Sequence, residues 1–247
     1  MSGPGFSVIV PTMNMAQFLP DAIASIRRQG LPVAEILVVD SGSTDGTAAV
    51  VAAHVEAGLP IRRIEAGCAG PGQARNIGLA QARGEIIAFL DADDLWPADK
   101  LERQYARLEA APALEMVSGF VRYFDRLDPD TLAPAADSRS ETLFHVHLGA
   151  CLYRRRLFDR IGGFDESLLY SEDVDLLLRI REQAIPFTIL RAVTLYYRRH
   201  AGSMMVQPNP RKQLDFRRAV ALSLGRRRAL GLAGDLPAFE RFVEPAP

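Results

Sequence analysis

Three aspartates, Asp91, Asp93 and Asp94, lie within the segment FLDADD. Carboxylates this close repel one another unless a cation or a ligand's hydroxyl groups accept them. Hard divalent ions such as Mg²⁺ or Mn²⁺ bind one or two carboxylates and leave other positions for water and phosphate oxygens. The segment therefore indicates a site for a divalent ion with a nucleoside diphosphate, and an acidic turn in which Asp94 caps the next helix is the structural alternative.

The glycine-rich segment GPGQARNIG, residues 70–78, has the residue types of an anion site. It opens a predicted helix, where backbone N–H groups and the guanidinium of Arg75 favour phosphate. It is not a dinucleotide fingerprint, because it lacks the third glycine and follows the third strand rather than the first. A surface arginine near a turn would give the same pattern.

A second group of acids lies in residues 162–179, GGFDESLLYSEDVDLLLR. Glu172 and Asp173 fall in the first turn of a predicted helix, where the helix macrodipole favours acids for structural reasons alone. The pattern therefore leaves a chemical role open. His200 follows a predicted strand in YYRRHAGS, and a lone histidine of this kind is usually structural.

Strands and helices must position these residues. Short apolar runs alternate with longer amphipathic runs along the first hundred residues, as in a parallel sheet with crossover helices. The predicted strands are 7–11, 35–40, 61–65 and 85–91, and the predicted helices are 16–29, 46–57 and 72–83. Ligands bind beyond the carboxyl ends of such strands. The polar residues Thr12, Asn14, Asp40 and Ser41 stand there together with the FLDADD carboxylates.

The second half reads as a mixture of elements. A charged helix is predicted over 98–110 and another helix over 172–183. Strands are predicted at 115–124 and 142–153, two closing strands within 187–199, a surface loop over 128–140 and a helical tail from 210. The pattern predicts an α/β fold with an open, twisted, mostly parallel sheet flanked by helices and a mixed second half.

The composition limits the class of protein. The chain has 247 residues, 48% hydrophobic and 24% charged, as expected of one ordinary globular domain. Its 29 basic and 30 acidic residues nearly cancel, which excludes nucleic-acid binding driven by bulk charge. Cys68 and Cys151 are too few for a disulfide framework or a multi-cysteine zinc site.

The chain shows no apolar stretch near the roughly 20 residues that cross a bilayer, so no transmembrane span is expected. The segment MSGPGFSVIVP lacks the charged region of a secretory signal, and we expect a cytoplasmic protein. Residues 211–228 hold seven basic residues and one acid. They would suit either peripheral contact with the inner face of an anionic membrane or a solvated helix.

Taken in order, the motifs SVIVPTMN, VVDSGSTDGT, GPGQARNIGLAQARGEIIAFLDADD, GGFDESLLYSEDVDLLLR and YYRRHAGS resemble those of family-2 glycosyltransferases of the GT-A type. The likeness runs from Ser7 to His200. It implies the GT-A, Rossmann-like fold in one domain, 1–247. That domain would comprise a nucleotide-sugar-binding half (1–97), an acceptor and catalytic half (98–209) and a helical C-terminal tail (210–247).

The resemblance also implies site residues. The donor would be a nucleoside-diphosphate sugar with Mn²⁺ or Mg²⁺ bridging its phosphates. By position, Asp173 corresponds to the general base and Glu172 to an orienting neighbour. The remaining roles fall to Pro11, Thr12, Asn14 and Asp40 in the nucleoside pocket, Ser41 beside the base, Arg75 at the pyrophosphate, Asp91 at the ribose, Asp93 on the metal and His200 on the metal or phosphates.

The implied reaction is inverting transfer of a sugar to a hydroxyl of a carbohydrate or lipid-linked acceptor, in the synthesis of a bacterial-type cell-surface glycan. Met13 and Ser41 stand where the family often has an aromatic and a second acid, so a UDP-sugar is a first expectation and thymidine or guanosine carriers stay open. A sugar nucleotidyltransferase is the rival enzyme, although the loop PTMNMAQF lacks the glycines such enzymes usually carry after strand 1. A non-catalytic sugar-nucleotide-binding relative is the second alternative.

Overall fold

An eight-stranded sheet, mostly parallel, organises the computed structural model, which describes residues 5–204, 206–232 and 234–245. The strands are β1 (Phe6–Thr12), β2 (Val33–Asp40), β3 (Ile61–Glu65), β4 (Ile86–Phe89), β5 (Met116–Phe124), β6 (Leu127–Asp128), β7 (Ala133–Pro134), β8 (Glu141–Leu143), β9 (Leu152–Arg154) and β10 (Phe187–Arg198). The sheet order is β10-β5-β9-β4-β1-β2-β3. β8 pairs with β5, and β6 and β7 form a separate two-stranded ribbon.

The helices connect and cover these strands. They are α1 (Leu19–Arg27), α2 (Thr47–Glu56), α3 (Pro71–Gln81), α4 (Lys100–Ala110), α5 (Arg155–Ile161), α6 (Glu172–Glu182) and α7 (Arg211–Ala229). Short 3-10 helices occupy Leu148–Ala150 and Phe239–Phe242. Each predicted helix is present, with ends that shift by up to three residues. α1 begins three residues later than predicted, with Pro20 in its first turn.

The strands of the parallel half are near-continuous apolar runs because helices cover both faces of the sheet. In β1, Val8 and Val10 pack in the core layer of α1 and α4, whereas Ile9 packs in the layer of α3, α5 and α6. All three side chains are fully buried. The four predicted strands of this half are confirmed as β1 to β4, and β4 ends earlier than predicted, at Phe89.

The prediction of two closing strands in 187–199 is wrong, because β10 is one strand that pairs in parallel with β5. Its register shifts between Ile189 and Val193, where extra residues of β10 face a single residue, Gly119, of β5. A Cβ on Gly119 would approach the side chain of Thr194 to 2.5 Å. The sequence break that suggested a turn between two strands is therefore a bulge within one strand, opposite a glycine of β5.

Two other second-half predictions need correction. Residues 142–153 do not form one strand: β8 and β9 are separated by a loop and a 3-10 helix. The predicted surface loop 128–140 is largely exposed, but it contains part of the β6–β7 ribbon and buries Leu132. In the segment 144–147, between β8 and the 3-10 helix, Phe144 and Val146 are partly buried. The apolar and polar residues therefore alternate as they would in a strand, and this alternation could not distinguish the two.

The C-terminal segment begins with α7, as predicted, and α7 packs against α6. The chain then returns to β10, where the Phe242 ring stacks on Phe187 with centroids 4.1 Å apart and Val243 bridges to Ile189. The tail is thus more than a helix, and its last two residues lie outside the described part. Among the described helices, none combines the length and apolar character needed to cross a membrane. The division at residues 97 and 209 stays a prediction.

Candidate active site

The carboxyl ends of β1, β2 and β4 meet at one edge of the sheet, where Thr12 pairs with Asp40. A cavity of about 440 Å³ opens there, and the start of α6 reaches it from the second half of the chain. Eight of the eleven predicted site residues line the cavity: Pro11, Thr12, Ser41, Arg75, Asp91, Asp93, Glu172 and Asp173. The topology thus brings both acidic motifs to one space.

Asn14 and Asp40 do not line the cavity, and instead they hold its β2 wall. Asn14 Oδ1 accepts the backbone N–H of Thr44 at 2.8 Å, and Asp40 Oδ1 accepts that of Ser43 at 2.8 Å. Asp40 Oδ2 accepts Arg63 Nε at 2.7 Å. Burial raises the pKa of Asp40, but these hydrogen bonds and the charge of Arg63 outweigh burial and lower it below its ordinary value. Asp40 is therefore a carboxylate that orders the loop after β2.

Asp93 and His200 lie together, although 107 residues separate them, with Asp93 Oδ2 2.9 Å from His200 Nε2. The ring of Phe18 packs on the imidazole, with centroids 4.5 Å apart. Burial and the charge of Asp91 raise the pKa of Asp93 above its ordinary value. His200 therefore does not line the cavity itself but supports the carboxylate of Asp93, which does.

Asp94 and His147 form a second cluster with Asp91. One ligand-type atom from each of the three side chains lies within 4.8 Å of the others. Gly149 donates its backbone N–H to His147 Nδ1 at 3.2 Å. A neutral ring that accepts at Nδ1 carries its proton on Nε2, and that nitrogen donates a hydrogen bond instead of binding a metal. In this arrangement His147 offers a donor to an anion, and the carboxylates of Asp91 and Asp94 are the groups that could hold a cation.

Arg75 lies beneath the cavity instead of extending freely into it. Its two terminal nitrogens donate to Asp91 Oδ1 at 2.8 Å and to Glu172 Oε1 at 2.5 Å. Arg75 is 5% exposed, and within the described residues its Nε has no hydrogen-bond partner. Burial lowers the pKa of Arg75, but the charges of the two carboxylates outweigh burial and raise it above its ordinary value. The guanidinium therefore keeps its charge. Arg75 thus joins the aspartate motif to α6.

The first turn of α6 presents Glu172 and Asp173 to the cavity. Burial and the charge of Asp173 raise the pKa of Glu172 to about 7, although Arg75 acts in the opposite direction. Asp173 is partly exposed, and its Oδ1 accepts the N–H of Val174 at 2.7 Å. The two neighbouring acids therefore differ: one is buried and paired, whereas the other faces the open cavity.

Several cavity residues were not singled out from the sequence, among them Tyr170 and Tyr197. Both tyrosines follow apolar residues in the sequence, so no local signal separates them from core residues. The structural alternative in which Asp94 caps the next helix is not observed, because α4 begins after Asp99. Asp94 is 1% exposed, and its Oδ1 accepts the backbone N–H of Arg198 at 2.9 Å.

Comparison with known families decides the class of this site. The model of the family described as glycosyl transferase family 2 matches residues 7–162, and that of a glycosyltransferase-like family 2 matches residues 135–231. The first match spans more than half of the chain and includes β1 to β4 with the FLDADD motif.

The chain belongs to glycosyltransferase family 2. Among its relatives in this family, an uncharacterized glycosyltransferase of Nostoc sp. (strain PCC 7120) is 44% identical over 64% of this chain and 53% of its own length. EpsJ of Bacillus subtilis is 29% identical over 83% of this chain and 64% of its own. The poly(ribitol-phosphate) beta-N-acetylglucosaminyltransferase TarS of Staphylococcus aureus is 27% identical over 82% of this chain and 38% of its own. The chain spans less than two thirds of each.

Solved structures of glycosyltransferases share the fold. Staphylococcus aureus TarS in complex with UDP-GlcNAc superposes with a TM-score of 0.67 at 23% identity, over 89% of this chain and 66% of TarS. The mannosyltransferase PcManGT from Pyrobaculum calidifontis, in complex with GDP-Man and Mn²⁺, superposes with a TM-score of 0.62 at 24% identity, over 96% of this chain and 67% of that one. This family 2 chain therefore has the GT-A fold, as the sequence predicts.

Proposed function

We propose that this chain transfers a sugar, with inversion, from a nucleoside-diphosphate sugar to an acceptor hydroxyl. The observation that carries the proposal is that Asp93 and Asp173, 80 positions apart in the sequence, line one cavity at the carboxyl edge of the sheet. A carboxylate that could hold a cation and a partly exposed carboxylate around one space match what the reaction needs at the leaving group and at the acceptor.

The chemistry assigns these two carboxylates different tasks. Cleavage of the bond between the anomeric carbon and the diphosphate builds negative charge on the leaving oxygen, which takes the electron pair. The acceptor oxygen forms the new bond and must lose its proton, which Asp173 accepts as general base. Such a base contributes roughly 10²- to 10⁴-fold to the rate. Attack on the face away from the diphosphate inverts the anomeric configuration.

The residues present fit a divalent ion. Burial and the charges of Asp93 and Asp91 raise the pKa of Asp94 well above its ordinary value, and its buried Oδ2 has no hydrogen-bond partner among the described residues. A cation at this edge would relieve the crowding. Mn²⁺ or Mg²⁺ held by Asp93, with His200 supporting that carboxylate or joining it, would supply positive charge to the diphosphate.

The donor is proposed to be a UDP-sugar, with thymidine and guanosine carriers as alternatives. Met13, Thr12 and Ser41 line the end of the cavity nearest β1 and β2, and Met13 is 55% exposed. A thioether and a hydroxyl can pack on a base and hydrogen-bond to it, but they discriminate little among bases. TarS is solved with UDP-GlcNAc and PcManGT with GDP-Man, so both nucleotides belong in the test.

The acceptor is proposed to be a carbohydrate or a lipid-linked glycan in cell-surface polysaccharide synthesis. This rests on the relatives, one of which is the succinoglycan biosynthesis protein ExoO of Rhizobium meliloti, 35% identical over 70% of this chain and 55% of its own length. A cytoplasmic location at the inner membrane face, with α7 as the contact, follows from that acceptor and stays a prediction.

A thermal-shift screen of UDP, TDP and GDP, each with and without Mn²⁺, tests the proposal, because a ligand that binds the folded state raises the melting temperature. We expect one nucleotide to raise it in a Mn²⁺-dependent way. Release of that nucleotide from UDP-GlcNAc, UDP-glucose or GDP-mannose then tests turnover, and the anomeric NMR signal of the product tests inversion. No stabilisation and no release with any of these compounds would refute the proposal.

A further inference from the structure

A carboxylate of α7 holds the loop that precedes α6. Asp215 is fully buried, and its Oδ2 accepts the backbone N–H groups of Leu169 at 3.0 Å and Tyr170 at 3.1 Å. Arg211 Nε donates to the same oxygen at 3.2 Å. A buried carboxylate is costly unless donors and charges satisfy it. Here Oδ2 is satisfied by Arg211 and by two backbone groups that lie more than 40 residues earlier in the chain.

The start of α6 has no side-chain cap of its own. Ser171 is the N-cap residue, its backbone is left-handed with φ of 67°, and in the described structure its side chain caps no N–H group. A capping side chain ordinarily fixes the first turn of a helix. The first turn here carries Glu172, which Arg75 also binds, and Asp173, whose position depends on what holds the loop immediately before it.

Arg226 supplies a second connection between α7 and α6. It donates to Asp175 Oδ1 at 2.9 Å and to Glu182 Oε2 at 2.7 Å, and both carboxylates are almost fully buried. Charge-assisted bonds of this kind are about twice as strong as neutral ones. α7 therefore holds α6 along its length through Arg226 and holds the entering loop through Asp215.

We propose that Asp215 is a positioning residue for sugar transfer. It acts through Leu169 and Tyr170, which line the cavity beside Asp173, and keeps the base at the distance the acceptor requires. A displacement of about 1 Å can cost a reaction on the order of 10²-fold. The inference rests on the proposed function, because it assigns Asp215 to the same reaction.

Two substitutions at one position separate positioning from charge. Both backbone N–H groups bind one oxygen, Oδ2, so the carbonyl of Asp215→Asn can retain both hydrogen bonds. The amide nitrogen would take the place of Oδ1, which accepts no hydrogen bond within the described residues and lies 3.7 Å from Arg218 Nη1. Asp215→Ala removes both hydrogen bonds. The asparagine variant is therefore the rescue of the alanine variant.

Turnover is measured as hydrolysis of UDP-GlcNAc, or of the nucleotide sugar the screen selects, and donor binding as the Kd of UDP with Mn²⁺. We expect Asp215→Ala to lower kcat at least tenfold and to change the Kd less than twofold, because β1 to β4 keep their arrangement. We expect Asp215→Asn to stay within threefold of the wild-type kcat. Wild-type kcat in the alanine variant would overturn the inference.

Ala219→Gly is the control for a general loss of stability. Ala219 is buried on the same helix, and glycine weakens a helix without altering the hydrogen bonds to Leu169 and Tyr170. We expect a lower melting temperature with kcat within twofold of wild type. If kcat instead falls equally in Ala219→Gly and Asp215→Ala when their melting temperatures are matched, Asp215 has only a structural role.

Hydrogen exchange tests whether Asp215 holds the loop even if no nucleotide stabilises the chain and no nucleotide sugar is turned over, the outcome that would refute the proposed function. We expect the amides of Leu169 and Tyr170 to exchange at least tenfold faster in Asp215→Ala than in wild type, and at nearly wild-type rates in Asp215→Asn. Unchanged exchange at both amides in the alanine variant would show that Asp215 does not hold the loop.

Discussion

Asp93 and Asp173 can be distinguished by experiment because they are expected to act at different steps. Asp173→Asn would remove the proposed proton acceptor and leave the donor site intact, so we expect transfer to fall by roughly 10²- to 10⁴-fold with Mn²⁺-dependent nucleotide binding nearly unchanged. Asp93→Asn would remove the proposed cation ligand, so we expect nucleotide binding to weaken and to lose its dependence on Mn²⁺.

Calorimetric titration with the selected nucleotide and a transfer assay measure the two effects. Asp159→Asn, at an exposed acid of α5, is the control and should match wild type in both assays. Equal turnover in Asp173→Asn and wild type would remove the base assignment.

Glu172 makes stability depend on pH. Its pKa is raised to about 7 in the folded chain from an ordinary value of 4.5, so folding favours its protonated form. Its contribution to the free energy of unfolding is therefore fully present below about pH 4.5 and is lost as the pH rises through about 7. We expect the stability of wild type relative to Glu172→Gln to fall over this range by on the order of 2 kcal/mol.

Urea denaturation of both proteins at pH 5, 6, 7 and 8 measures this difference. If the free energies of unfolding of wild type and Glu172→Gln change in parallel with pH, Arg75, which donates to Glu172 at 2.5 Å, keeps the carboxylate ionised throughout.

The helix α3 carries Arg75 and so fixes how far below the cavity that side chain lies. It packs on β1 and β2, and Gly78, two turns after its start, is a point of close approach. A Cβ on Gly78 would overlap the side chain of Ile9 and meet that of Val39 at 3.3 Å. We expect Gly78→Ala to lower the free energy of unfolding by about 1 to 3 kcal/mol, because the helix must move off the sheet.

Gly72→Ala on the same helix is the control. A Cβ there would make ordinary contacts, the nearest at 3.4 Å with Phe164, so the higher helix propensity of alanine should leave stability unchanged or raised. Chemical denaturation compares the two variants. Equal stability of Gly78→Ala and Gly72→Ala would show that Gly78 is not a point of close approach between α3 and the sheet.

The helix α4 is charged along its sequence, yet it has a buried side with a structural task. Lys100 is fully buried, its Nζ donates to Gln104 Oε1 at 2.6 Å and to the carbonyl of Cys151 at 3.1 Å, and burial lowers its pKa to about 7. Gln104 Nε2 donates to the carbonyl of Ala150 at 2.8 Å. These bonds fasten the segment that follows His147, so α4 supports one wall of the cavity.

The exposed surface of α7 combines apolar and basic side chains. Leu214, Phe216 and Leu224 are between 45% and 57% exposed, and Arg217 and Arg228 are exposed beside them. Exposed apolar groups with basic neighbours favour an anionic bilayer surface. We expect flotation with phosphatidylglycerol vesicles to be weakened by added salt and by Arg217→Gln with Arg228→Gln. Absence of binding at low salt would identify α7 as a solvated helix.

At the scale of the whole molecule, the sequence by itself determined the fold and the family. Short apolar runs that end in Thr12, Asp40 or Asp91 predict parallel strands with polar carboxyl ends, and the order of five motifs identifies the relatives. These signals are local, because strand and helix periodicity and turn residues act over a few positions. A bulged strand such as β10 was misread for the same reason: its irregularity is resolved by the neighbouring strand and not within itself.

Tertiary structure alone decided which polar groups meet. Arg75 pairs with Glu172 across 97 positions, and Asp215 reaches Tyr170 across 45. No local pattern marks these pairings, because an arginine or an aspartate on a helix has the same sequence signature whether it is solvated or buried against a partner. Burial makes the pairing matter, since a charge removed from water must find its counterpart within a few ångströms. That requirement is met only when the distant segments pack together.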